Sequence, residues 1–108
     1  MEIKVNKDKQ LLIAKPSGDI DHHSVKRIRS EIDRGIERSG ARNVAFDFER
    51  VGFMDSAGIG MILGRYKKVS ALGGKVYIFN ASKAASRIIA ISGLGNIARI
   101  CGDWGEAE

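Results

Sequence analysis

The spacing of apolar residues switches back and forth between strand period and helix period along all 108 residues, and that switching leaves few folds open. Residues 2–6 (EIKVN) alternate, and residues 10–16 (QLLIAKP) form a second apolar run, with Asp8 and Lys9 between them. The pair predicts a hairpin of two strands. Pro16 and Gly18 mark the end of the second strand. From Ser24 to about Arg38 the residues Val25, Ile28, Ile32 and Ile36 recur at spacings of 3, 4 and 4, one stripe of an amphipathic helix. Asp21 or Ser24 is placed to cap this helix, and Gly40 to end it. Its other side carries Lys26, Arg27, Glu31, Asp33 and Arg34, which reads as a wetted charged face.

The remaining chain repeats the pattern. Residues 43–49 (NVAFDFE) predict a third strand, with Val44, Phe46 and Phe48 on one side and Ala45, Asp47 and Glu49 on the other. After a loop from Arg50 to Met54, a second helix is predicted from about Ser56 to Ala71, its stripe being Ile59, Ile62, Leu63, Tyr66, Val69 and Leu72, with Gly73-Gly74 as the stop. Residues 75–79 (KVYIF) predict a fourth strand. Ser82 caps a third helix with Ile88, Ile89 and Ile91 inward, ended by Gly93 to Gly95, and residues 97–101 (IARIC) a fifth strand. The tail GDWGEAE is too short for more than one turn. The order β-β-α-β-α-β-α-β implies an α/β domain spanning 1–108, a mixed sheet with helices packed on it.

Composition narrows the function. Hydrophobic residues are 44% of the chain, enough for a core without staples. The opening segment MEIKVNKDKQ alternates and is charged, so no secretory signal is expected, and no apolar run suffices for a membrane span. Cys101 is the single cysteine, which rules out an internal disulfide and a cysteine-based zinc site; at the end of an apolar strand it reads as buried and inert. These features predict a cytoplasmic protein. The net charge of +5 and pI near 9.6 raise nucleic acid as a partner. However, the 18 Lys and Arg are scattered, the densest group being Lys26, Arg27 and Arg29, and the 6% of aromatics do not interleave with them as a stacking platform requires. The basic surface reads instead as one that meets an acidic protein partner.

Chemistry is concentrated at Phe53-Met54-Asp55-Ser56-Ala57-Gly58-Ile59-Gly60. Asp55 and Ser56 stand where a loop gives way to a helix, whose first amides lack intrahelical partners. Gly58 and Gly60 each cost about 1 kcal/mol relative to alanine in a helix, so another reason must hold them there. One reading is a plain N-cap with glycines that admit tight packing. The other is a regulatory hydroxyl on Ser56. A phosphate there would add about −1.5 to −2 charges where the helix dipole tolerates them, while a partner pressed against the spot would not. A second cluster is Gly18-Asp19-Ile20-Asp21-His22-His23. Adjacent histidines on a turn usually diverge and no third histidine exists, so no metal is expected there; capping or partner contact is the reading for Asp21. No nucleophile elbow, Walker A loop or H-E-x-x-H is present, and G-I-G-M-I-L-G misses the dinucleotide spacing by one residue, so neither an enzyme nor a cofactor is predicted. An aspartyl-phosphate receiver would have only Asp19, Asp21 and Asp55 to hold magnesium.

Together these stretches, with Gly64-Arg65-Tyr66-Lys67 and Ser92-Gly93-Leu94, resemble the anti-sigma factor antagonists of the STAS fold over nearly the whole chain. D-S-x-G alone would indicate only the wider family; D-H-H, F-M-D-S-x-G and I-L-G-R-Y-K together resemble its sporulation branch. The resemblance implies a binding protein rather than a catalyst. It would bind an anti-sigma factor that is also an ATP-using serine kinase, and so free the sigma factor, sigma F in the sporulation branch. Ser56 would be the phosphoacceptor, and a serine phosphatase would reset it. The partner surface would comprise Asp21, His22, Asp55, Ser56, Gly58, Ile59 and Gly60, and the free protein would be a monomer. A general-stress pathway with another kinase is the alternative. Ala57 stands where the family commonly has a second serine, and the tail, with Asp103, Glu106 and Glu108, is shorter and more acidic than the family's usual last helix.

Overall fold

The computed structural model describes residues 1–101. Strands β1 (Glu2–Asn6) and β2 (Leu11–Lys15) are followed by α1 (Val25–Ser39), β3 (Asn43–Asp47), α2 (Ser56–Ser70), β4 (Val76–Phe79), α3 (Lys83–Ser92), a 3-10 turn (Leu94–Asn96) and β5 (Arg99–Cys101). The fifth strand is shorter than its apolar run because the turn at Leu94–Asn96 delays entry into the sheet. The acidic tail, expected to hold no more than one turn, lies outside the described residues.

The five strands lie in the order β1-β2-β3-β4-β5, with β1 antiparallel to β2 and every later pair parallel. A sheet that grows in one direction through right-handed crossovers puts all its helices on one face. The main core confirms this: Leu12, Ala14, Val44, Phe46, Phe48, Val76 and Ile78 meet Ile28 and Ile32 of α1, Met61, Ile62 and Val69 of α2, and Ala85 and Ile89 of α3. The alternate residues Leu11, Ala45, Phe79 and Cys101, with Ile13 and Tyr77, form a smaller cluster on the opposite face. There Lys15 pairs with Glu49 at 3.2 Å and lies 4.0 Å from Asp47.

Local signals set the helix ends. Gly40 and Gly93 adopt the left-handed conformation just past α1 and α3, and Ser82 Oγ accepts the Ala85 amide at the start of α3. Two inward faces differ from the predicted stripes. Leu63, Leu72 and Ile91 are exposed, Ile91 at 80%. α2 turns Gly58, Met61, Ile62, Arg65 and Val69 inward, so Leu63, one residue past Ile62, is rotated about 100° away, and Leu72 lies beyond the helix end. In α3 the inward pair is Ala85 and Ile89; two residues on, Ile91 stands on the far side.

Arg65 is the charged residue on that inward face, with 8% exposure. Its Nε lies 3.0 Å from Asp33 Oδ1, and Lys68 Nζ lies 3.1 Å from Asp33 Oδ2, so one carboxylate of α1 ties down two cations of α2. Burial pulls the Arg65 guanidinium below its usual range, Asp33 pulls it back up and Arg29 adds to the lowering. An arginine in this setting stays cationic at neutral pH.

The corrected faces predict that Ile62→Ala loses about 2–5 kcal/mol of stability, while Leu72→Ala changes it by less than about 0.5 kcal/mol. Urea unfolding followed by circular dichroism checks both.

Candidate functional site

The site is built where the sheet ends. Beyond β2 and β3 the two chains stay side by side, through parallel bridges Ser17↔Arg50 and Ile20↔Met54. Gly18 N donates to Arg50 O at 3.0 Å, with Gly18 at φ +88°, a conformation that favours glycine. Ile20 N donates to Phe53 O at 2.9 Å, and Asp55 N donates to Ile20 O at 3.1 Å. The backbone of Ile20 is thus held on both sides by the loop that leads into α2, and its side chain is fully buried. This clamp carries the Asp21 turn to the start of α2, at the carboxyl ends of parallel strands, where open α/β sheets commonly place their binding sites.

At the start of α2, Asp55 is the N-cap and its Oδ1 accepts the Ala57 amide at 2.8 Å. Asp55 O also accepts the Gly58 amide at 3.0 Å. Capping by Asp55 leaves Ser56 as the first helical residue, exposed, and among the described residues its hydroxyl has no hydrogen-bond partner. Phe53, whose backbone holds Ile20, is half-exposed beside it.

Across the clamp, Asp21 organises its own turn. Its Oδ1 accepts the amides of His23 at 2.9 Å and Ser24 at 3.0 Å, while its amide donates to Ser24 Oγ at 3.1 Å. Ser24 Oγ donates in turn to Asp19 O at 2.9 Å. The bond from the Ser24 amide, helped by those of His23 and by the nearby imidazoles, holds the Asp21 carboxyl below its usual range, against a smaller opposing effect of burial. Of the two capping candidates, Ser24 stands at the N-cap but makes no side-chain bond into the helix, and Asp21 holds the amides of the turn just before it. The rings of His22 and His23, expected to diverge, lie with centroids 3.8 Å apart at a 40° tilt. Among the described residues no group of three or more His, Cys, Asp or Glu is arranged to hold a metal ion.

The glycines divide. Gly58 is buried rather than on the surface, which corrects its expected place among the contact residues. A Cβ there would stand 2.5 Å from Met54 Sδ, closer still to its Cγ, and 3.2 Å from Ile20 Cγ2. Gly58 is there so that Met54 can fill the space under the clamp. Gly60 is exposed with nothing within 4 Å of where a Cβ would be, and Ile59 is partly buried against the core. Asp21, His22, Asp55, Ser56 and Gly60 are thus brought to one end of the molecule with surface to offer, and Gly58 is not. Sequence reasoning missed the supporting roles of Ile20 and Met54; the signal was one apolar residue between Asp19 and Asp21 and another directly before Asp55.

Comparison with known proteins agrees with this architecture. The STAS domain family profile matches residues 2–107. An anti-sigma F factor antagonist of Paenibacillus polymyxa is 32% identical over 97 residues, 90% of this chain and 83% of that protein. An anti-sigma-B factor antagonist of Staphylococcus aureus is 27% identical over 86 residues, 80% of this chain and 79% of that protein. Among solved structures, the anti-sigma factor antagonist SpoIIAA in its unphosphorylated form superposes with a TM-score of 0.82 at 29% identity, covering 98% of this chain and 90% of that one. The phosphorylated form of the Bacillus protein superposes at 0.74, covering 98% and 94%. The chain belongs to the STAS family.

Alanine at Gly58 and at Gly60 gains similar helix propensity, so the difference between them isolates the Met54 clash. Gly58→Ala is expected to be less stable than Gly60→Ala by about 1–3 kcal/mol, read from urea midpoints.

Proposed function

We propose that the protein is an anti-sigma factor antagonist whose single switch is the hydroxyl of Ser56. Unmodified, it binds an anti-sigma factor that is also a serine kinase, and so frees the sigma factor. The kinase transfers phosphate from ATP to Ser56, the modified form lets go, and a serine phosphatase restores the hydroxyl. The protein itself carries out no reaction. The observation that carries this reading is the exposed, unbonded hydroxyl on the first residue of α2, beside a cap that belongs to a different residue, Asp55.

The physics of the switch follows from that arrangement. Because Asp55 satisfies the Ala57 amide, modifying Ser56 takes nothing away from the helix. The helix dipole favours added negative charge at this end, by about 0.3–1 kcal/mol. The same charge at a desolvated interface is costly unless counter-charges meet it. Asp21, His22, Asp55, the half-exposed Phe53 and the bare edge at Gly60 form the contact surface around Ser56, and Ile59 supports it from below. That SpoIIAA is known in both unphosphorylated and phosphorylated forms, each superposing on this chain, supports a switch that leaves the fold in place. The sporulation branch is the assignment, supported by the D-H-H element and by the 32% identity to an anti-sigma F factor antagonist. The 27% identity to an anti-sigma-B factor antagonist supports the stress branch as the second reading.

Ser56→Asp is expected to keep its melting temperature within a few degrees and to lose at least 100-fold in affinity for the anti-sigma factor, about 2.7 kcal/mol. Ser56→Ala binds but accepts no phosphate. Calorimetry with the sigma F and sigma B types of anti-sigma factor decides the branch. Mass spectrometry after incubation with kinase and ATP must place the phosphate on Ser56, stable to hydroxylamine; a labile phosphate on Asp55 would overturn the switch.

A further inference from the structure

A cavity of about 370 Å³ lies between α1 and α2. Ala57, Gly60 and Gly64 line it from α2, at the +3 and +4 steps that share a helix face, and Arg29 lines it from α1. Neither Gly60 nor Gly64 has any atom within 4 Å of where a Cβ would stand. Unlike Gly58, they make room for no part of their own chain. Both sit inside a helix where alanine is intrinsically better. The space they leave open is the cavity.

Arg65 also lines this cavity, and it is more than nine-tenths buried. Its Nε is 3.0 Å from Asp33 Oδ1 but out of line for a hydrogen bond, and its Nη1 has no partner among the described residues. Asp33 cannot compensate it fully, since Lys68 draws on the other oxygen at 3.1 Å. A guanidinium offers five donors, and those left unpaired in a buried setting are unfavourable. Arg29, exposed on the neighbouring helix, brings a second positive charge to the same space. An apolar occupant would leave Arg65 unsatisfied and a cationic one would be repelled. A carboxylate brings the opposite charge, which both arginines attract.

We propose that this groove is a second docking point for the anti-sigma factor, receiving an aspartate or glutamate side chain of that partner between Arg29 and Arg65. The inference rests on the reading of Ser56 as the contact switch, and the two surfaces are continuous, because Ala57 of the groove wall directly follows Ser56. The groove supplies affinity through complementary charge, and the hydroxyl beside it decides whether the partner can approach.

The test measures binding of the cognate anti-sigma factor to wild type, Ser56→Asp, Gly64→Leu and Arg29→Glu by calorimetry at two salt concentrations. Gly64→Leu fills the groove and is expected to weaken binding at least tenfold without lowering the melting temperature. Arg29→Glu, an exposed change that keeps the test open should the leucine disturb the fold, is expected to weaken binding at least tenfold and to flatten its salt dependence. In wild type the Arg65 Nε–H resonance shifts on adding the partner. If both groove variants bind like wild type while Ser56→Asp does not, the groove assignment is overturned and the switch stands. If wild type itself fails to bind, both are overturned. If inorganic phosphate alone moves the Arg65 resonance as the partner does, the groove is a small-anion site and the docking proposal is overturned.

Discussion

Two backbone hydrogen bonds on a single residue, Ile20 N to Phe53 O and Asp55 N to Ile20 O, hold together everything that makes this end of the molecule a surface. They continue the β2–β3 pairing past the point where the strands end. Without them the Asp21 turn and the start of α2, more than thirty residues apart in the chain, would have no fixed relation. The clamp works only because its underside is filled. Ile20 and Met54 are buried there, and Met54 fits because Gly58 has no side chain. A position in the helix that looks like a contact residue is in this way the keystone of the loop beneath it.

On that frame charge is distributed so that each group is either tied down or left free. Asp55 is committed to the Ala57 amide and Asp21 to two amides of its own turn. Their negative charge is part of the folded scaffold and does not depend on a partner. The Ser56 hydroxyl, by contrast, is exposed and has no hydrogen-bond partner among the described residues. Adding an anion to it costs the scaffold little, and any energetic consequence falls on whatever docks. A hydroxyl that also served as the cap would lose this property, because modification would then trade helix stability against binding. If Ser56 is the acceptor, as proposed, separating it from the cap by one residue keeps those two quantities independent.

The periodicity of the sequence was enough to place every strand and helix, because each element pairs a clear period with a chemical stop: Gly40, Gly73 and Gly93 after helices, Asp55 and Ser82 before them. Ser56 and Asp55 were legible for the same reason, as a loop-to-helix junction with an oxygen at each position. What the pattern could not resolve was which apolar residues face inward in helices rich in them. Leu63 and Ile91 are as hydrophobic as Ile62 and Ile89, and only the angle at which each helix meets the sheet decides between them. The roles of the glycines were equally hidden. Gly58 and Gly60 are two residues apart and identical in sequence terms, yet one faces Met54 and the other faces open space.

That contrast between glycines bears on how the helix came to be so poor in side chains. Three glycines within seven residues weaken α2 by a few kcal/mol in intrinsic propensity. Packing under the clamp accounts for one of the three. The other two are aligned with Ala57 along the side of α2 that faces Arg29, above a guanidinium that the domain leaves partly unpaired. A fold optimised for its own stability would carry alanine at Gly60 and Gly64 and a neutral residue at Arg65. Both departures line the same groove on the same helix, Gly60 one turn and Gly64 and Arg65 more than two turns from the Ser56 hydroxyl, and the docking partner proposed for that groove would supply the contacts and the counter-charge that the isolated domain forgoes.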